Sequence, residues 1–299
     1  GFEGLYWLPF LRWAVKTYGI DPKRLVAVTR GGAALLYGCP SVDLYRLRSV
    51  ECVRLENQYD WQQSKLQKQM RPTTWDRDVL KEAAAHVLGR GERYHVLHPS
   101  WMYWALEPFW NEARGMAYLS SMTDYAPITG LKPLAQALPP VYVAMKWYCR
   151  ATLDGHDPQV QAVVAEMVGI VGAQVPIVLL QGTPECDDHV DMQITHPSMV
   201  SVPVSGPEQN LAQQIQILSK AQAFVGTYGG MAQLALRMGI PSVSLYKEFG
   251  ATAHAHLSLS SVVSKATKVP FLVGSLEDVV GWRKVISLPM TREAVPHAG

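Results

Sequence analysis

Residues 222–246, QAFVGTYGGMAQLALRMGIPSVSLY, constrain the fold more than any other stretch of this chain. An apolar run ends in Gly-Thr-Tyr-Gly-Gly, enters a segment with apolar residues at helical spacing, and stops at Gly239 before a second apolar run. Strands covered on both faces read as unbroken apolar runs. Two such runs joined by one helix lie parallel, because the helix carries the chain back to the edge where it started. The stretch therefore predicts a strand, a glycine turn, a helix and a parallel strand.

The rest of the chain repeats this alternation. In the first half, GLYWLPFLRWAVKTYG has helical spacing up to Gly19, and RLVAVTRGG is a short apolar run closed by two glycines. VDLYRL and YHVLHPS are further strand candidates, WDRDVLKEAAAHVLG is a helix, and WMYWALEPFWNEA is a helix with a break near Pro108. Strands separated by helices predict a parallel sheet with helices on its faces. Gly1 falls where the first strand-to-helix turn is expected. Periodicity fades between residues 115 and 140 and ends in Pro139-Pro140, the predicted linker. The second half gives strands VYVAMKWY, VPIVLLQ, MVSVPV, AFVG, PSVSLY and VPFLV, with helices DPQVQAVVAEMVG, PEQNLAQQIQILSKA, Met231 to Met238 and LEDVVGWRKV. The reading is α/β with two domains, 1–125 and 126–299, and a ligand cleft between them.

Composition narrows the function classes. With 299 residues, 48% hydrophobic and 17% charged, the chain holds apolar material for two cores. Its 27 basic and 25 acidic residues leave a formal charge of +2, which gives no electrostatic case for a nucleic acid polymer as partner. Cys39, Cys52, Cys149 and Cys186 are scattered without a C-x-x-C pair, against a zinc knuckle or disulfide framework and in keeping with a reducing compartment. No apolar run reaches the roughly 18 residues of a membrane-spanning helix, and no charged-then-apolar leader opens the chain. The expectation is a soluble, cytoplasmic protein, compatible with peripheral membrane association.

In AFVGTYGG the strand is expected to end at Gly226, with Gly229 and Gly230 allowing close backbone approach before the helix. Such a turn aims N–H groups and the positive end of a helix dipole above the sheet, where a diphosphate fits, and Thr227 adds a hydroxyl donor. Glycines that merely satisfy a tight turn give the same spacing. The stretch resembles the C-terminal nucleotide-sugar site of GT-B glycosyltransferases, particularly the heptosyltransferase-like pattern. Gly226, Thr227, Tyr228, Gly229, Gly230, Met231, Gln233, Gly239, Pro241 and Tyr246 carry the resemblance. Tyr228 stands where those enzymes usually have Asp. The opening GFEGLYWLPFLRWAV is similar to the first turn and helix of bacterial surface-polysaccharide glycosyltransferases of the same architecture. The resemblance implies two Rossmann-like α/β/α domains facing across a cleft, acceptor domain first and nucleotide-sugar domain second. It also implies a role in polysaccharide biosynthesis: transfer of a sugar from a nucleotide-sugar donor to a glycan or lipid-linked acceptor, without a metal or other cofactor.

Metal-independent transfer needs the leaving diphosphate stabilised by basic side chains and helix N-termini, and an inverting reaction also needs a general base. By resemblance Glu3 is the candidate catalytic residue; the helix dipole alone also favours an acid there. Lys146 and Arg150, after the first strand of the second half, are implied to meet the donor phosphates. Gln181 is implied to meet the nucleotide base or ribose, and Arg30 the acceptor or phosphate. Surface charges and loop capping are the plain alternatives. Together with Gly226, Thr227, Tyr228, Gly229, Gly230 and Gln233 these residues make up the expected donor site. Cys186, Asp187, Asp188, His189, Asp191 and His196 fit no metal-ligand spacing and read as a solvated loop. His254 and His256 have strand-like spacing or lie near the donor. Trp7, Trp13, Trp61, Trp75, Trp101, Trp104 and Trp110 gather in the first half, as core or as stacking platforms for acceptor sugars. Two rival readings stay open: a nucleotide-sugar epimerase of the same shape, and a catalytically silent glycan- or nucleotide-binding protein.

Overall fold

Leu8–Thr17 (α1) carries Pro9 at its second position and buries Leu8, Phe10 and Ala14. It continues a π-helical turn over Glu3–Trp7. The computed structural model describes residues 3–56, 70–88, 93–132, 134–149, 153–182, 190–248 and 251–278, excepting the side chains of 251–253. Two compact units divide them: one runs to residue 126 and includes 205–212, and the other comprises 127–204 and the residues from 213 onward.

In the N-terminal unit β1 (Ala27–Thr29) pairs in parallel with β2 (Ser41–Asp43). Between them Gly31 and Gly32 adopt left-handed backbone, with φ +65° and +78°. The Gly31 carbonyl accepts from Ala212 N–H at 2.8 Å, and Gly32 N–H donates to Asp43 Oδ2 at 2.7 Å. A Cβ on Gly32 would lie 2.5 Å from that of Ala212. Gly32→Ala is therefore expected to cost about 2–3 kcal/mol, from the left-handed penalty plus the overlap. The measurement is a lower urea midpoint at unchanged slope.

Asp43 also caps Leu44–Leu47 (α2) by accepting from Tyr45 N–H at 3.0 Å. That cap turns VDLYRL into helix after its first residues, a correction to the strand expected there. Thr74–Val87 (α3) is the expected helix, opened by a reciprocal Thr73–Asp76 capping box and burying Val79 and Ala83 one turn apart. YHVLHPS is not a strand: residues 93–97 are exposed, and no strand among the described residues pairs with them. Its end forms a turn in which Ser100 N–H donates to His98 Nδ1 at 3.1 Å, opening Ser100–Ala105 (α4). Glu107–Trp110 (α5) and Met116–Ser121 (α6) follow, so the expected helix break falls at Leu106. Among the described residues this unit holds one two-stranded parallel pair, where the alternation predicted a longer series.

The second unit opens with β3 (Val143–Lys146), buried along its length as a strand covered on both faces should be. Then come β4 (Tyr148–Cys149), α7 (Pro158–Gly172), β5 (Ile177–Leu179), β6 (Val190–Asp191), β7 (Met199–Val200) and α8 (Pro207–Lys220). The first turns of α8 count with the N-terminal unit. β8 (Ala223–Thr227), α9 (Gly230–Arg237), β9 (Ser242–Tyr246), α10 (Ala251–Thr267) and β10 (Phe271–Ser275) complete the series.

The main sheet runs β7-β5-β3-β8-β9-β10, with every neighbouring pair parallel. The chain builds outward from β3 to β7, then crosses to the other flank of β3 and lays down β8, β9 and β10. In this doubly wound order the direction of winding reverses between β3 and β8, and the C-terminal ends of such a strand pair are where open α/β sheets bind ligands. One face is packed by α7, which starts at an Asp157 cap and buries Val160, Val163, Val164, Met167, Val168 and Val171. These meet Val143, Met145, Ile177, Val225, Val243 and Leu245 from the strands in one hydrophobic core. Among the described residues no helix is long and apolar enough to cross a membrane.

Candidate functional site

The winding reversal brings several of the expected donor residues together. Lys146, the last residue of β3, stands directly opposite Gly226 of β8, and Thr227, Tyr228 and Gly229 lead from there to Gly230 at the first position of α9. No side chain caps that helix. Glu3 and Arg30 belong to the N-terminal unit. Arg150 lies outside the described residues, as do Cys186, Asp187, Asp188 and His189.

Each group at the reversal already has a neighbour. A Cβ on Gly226 would overlap the Lys146 carbonyl oxygen, so the close approach of β3 accounts for this glycine. Thr227 is fully buried, and its hydroxyl accepts from Tyr148 N–H at 3.1 Å. Gly229 has extended backbone that any residue could adopt, with φ 167°. Its missing side chain is explained by Tyr148, whose phenol oxygen occupies the space a Cβ would need. Tyr228 is buried, packs edge-on against Phe271 at 6.4 Å between ring centroids, and its hydroxyl lies 3.5 Å from Gln233 Nε2. Burial pushes the Tyr228 phenol pKa upward. Tyr228 and Gln233 therefore serve the packing of α9 in this structure.

Lys146 is only 3% exposed. Its ammonium donates to the Leu180 carbonyl at 2.9 Å and pairs with Asp191 Oδ1 at 3.2 Å. Asp191 Oδ2 accepts from Gly182 N–H at 2.7 Å. A buried ammonium is tolerable only with such a partner and with its hydrogen bonds met. Asp191 is thus no solvated loop residue, a correction to the sequence reading. Gln181, between Leu180 and Gly182, is exposed.

Tyr148 and Asp191 come from one small ribbon. β4 and β6 pair antiparallel with Tyr148 opposite Asp191, and Met192 N–H donates to the Trp147 carbonyl at 2.9 Å. Sequence reasoning assigned no role to Tyr148, because WYC reads as the tail of an apolar strand. Among the described residues no group of three or more His, Cys, Asp and Glu side chains is placed to hold a metal ion. His254 and His256 lie on α10, correcting the strand-like spacing, and burial lowers the His256 pKa to about 4, so its ring is neutral near pH 7.

In the N-terminal unit, Glu3 accepts a hydrogen bond from the Tyr37 hydroxyl. Burial first, and the Glu3 charge second, push the Tyr37 phenol pKa well up, so it stays a donor to the carboxylate. Arg30 is exposed just before Gly31. Trp110 packs on Tyr6 at 4.8 Å between ring centroids, a core role. Trp101 and Trp104, three residues apart on α4, are 56% and 65% exposed. Trp61 lies outside the described residues. No protein-family model matches this sequence, and no curated protein matches it.

Proposed function

We propose that the chain is a glycosyltransferase of GT-B type that binds a nucleotide-sugar at the C-terminal ends of β3 and β8 and passes the sugar to a glycan or lipid-linked hydroxyl. One observation carries the reading: the doubly wound sheet puts Lys146 and the Gly226–Gly230 turn at a single point of winding reversal, where α9 begins without a side-chain cap. Ligands of open α/β sheets bind at that point. A diphosphate there faces the first N–H groups of α9 and the positive end of its dipole. Lys146 and those amides would then stabilise the leaving nucleoside diphosphate without a metal. In this reading both units are Rossmann-like domains. Glu3, held by the Tyr37 hydroxyl, is the candidate base for the acceptor hydroxyl, and Trp101 and Trp104 are candidate stacking faces for sugars.

A specific observation favours a second reading, a nucleotide-binding protein without transferase activity: Tyr228, at the position where the resembling enzymes usually have Asp, is buried against Phe271 and offers no carboxylate. Thermal unfolding with UDP, GDP, ADP and their sugar conjugates tests the site. One nucleoside diphosphate is expected to stabilise the protein by about 2.7 kcal/mol at one hundred times its Kd. Gly230→Asp, which sets a carboxylate at the first position of α9, is expected to remove the shift. An equal shift in wild type and Gly230→Asp would put the site elsewhere. Release or transfer of labelled sugar then separates the enzyme from the binder.

A further inference from the structure

Three of the groups expected to meet the donor, Lys146, Thr227 and Gly229, are engaged by the same four-residue ribbon. Asp191 of β6 takes the Lys146 ammonium, the Tyr148 main chain takes the Thr227 hydroxyl, and the Tyr148 phenol lies on Gly229 at the start of α9. A carboxylate on the lysine and a phenol oxygen at the helix start put oxygen atoms where phosphate oxygens would come. Tyr148 is itself buried, so the phenol is part of the packed structure. The ribbon also closes on itself through the β4–β6 pairing and the bond from Met192 N–H to the Trp147 carbonyl.

We propose that the β4–β6 ribbon is an internal plug of the donor-phosphate position, and that a nucleoside diphosphate enters only when Tyr148 leaves Gly229. The inference rests on the reading of the C-terminal ends of β3 and β8 as a diphosphate site. Its logic is that of a binding-competent state populated for a fraction of the time: the apparent Kd is the intrinsic Kd divided by that fraction. A plug open for about a tenth of the molecules weakens binding about tenfold. Removing the phenol restores what the plug withholds. Tyr148→Phe keeps a ring against Gly229 and restores less.

Equilibrium titration of UDP and GDP into wild type, Tyr148→Ala and Tyr148→Phe tests this, with near-UV circular dichroism showing that each variant is folded. The expected result is binding at least about tenfold tighter to Tyr148→Ala than to wild type, with Tyr148→Phe between them. Equal affinity in all three proteins overturns the plug and leaves the diphosphate site standing. No binding to any of the three, all folded, overturns the site and the plug with it. Hydrogen exchange on the wild-type protein gives a second reading that needs no variant. Saturation with the diphosphate is expected to speed exchange of the Tyr148 amide, which now donates to Thr227. Slower exchange at that amide on binding overturns the plug.

Discussion

Gly226→Ala is expected to destabilise the C-terminal unit by about 4 kcal/mol, among the largest effects of a single methyl group. The added Cβ would overlap the carbonyl oxygen of Lys146 and would lie 3.0 Å from the Phe224 ring. Neither neighbour is a flexible side-chain tip. Lys146 is in the central strand, held by β5 on one flank and β8 on the other, so relief would require parting the sheet where its winding reverses. Chemical denaturation followed by far-UV circular dichroism measures the loss. A change below about 1 kcal/mol would mean that the two strands separate easily at this point.

Lys146→Met is expected to cost about 3 kcal/mol and to abolish nucleoside diphosphate binding. Removing one member of a buried pair strands the other's charge, at about 3–5 kcal/mol. The Asp191 side chain is 22% exposed, which places this case at the lower end, since water can reach the stranded carboxylate. The Lys146→Met/Asp191→Leu protein is expected to recover most of the stability, because no lone charge remains, and none of the binding. A double-mutant cycle of unfolding free energies isolates the pair. If the single variant melts like wild type, the ammonium and the carboxylate are not coupled. If it binds diphosphate normally, Lys146 has no part in the site.

Much of the second unit is legible in its residues. The run from Ala223 to Tyr246 is strand, glycine turn, helix and parallel strand, and the apolar spacing of α7 marks its buried face. The order of the strands is not legible, since apolar runs of similar composition carry no mark of which neighbour they pair with. The glycines carry two readings for a related reason. Gly226 and Gly229 fit a phosphate turn, but the same absence of a side chain accommodates a carbonyl oxygen in one case and a phenol in the other. Spacing cannot tell these apart. Asp191 is read as loop because its partner Lys146 is remote in sequence, and only the pairing of β4 with β6 brings them together. In the first half the alternation overstates the sheet: Asp43 starts a helix where a strand would have continued, and Tyr94, Val96 and Leu97 are apolar yet exposed.

The Gly31–Gly32 turn carries a consequence for how the polypeptide matures on the ribosome. Its carbonyl partner and its closest packing neighbour is Ala212, far downstream in α8, and residues 205–212 belong to the N-terminal unit. Contacts this distant along the chain form late and slow folding. The segment up to residue 126 therefore emerges during translation without the piece that completes its unit and waits until residue 212 has been synthesised. A nascent chain halted after residue 126 should remain open to protease at this turn, and one halted well beyond residue 212 should be protected there.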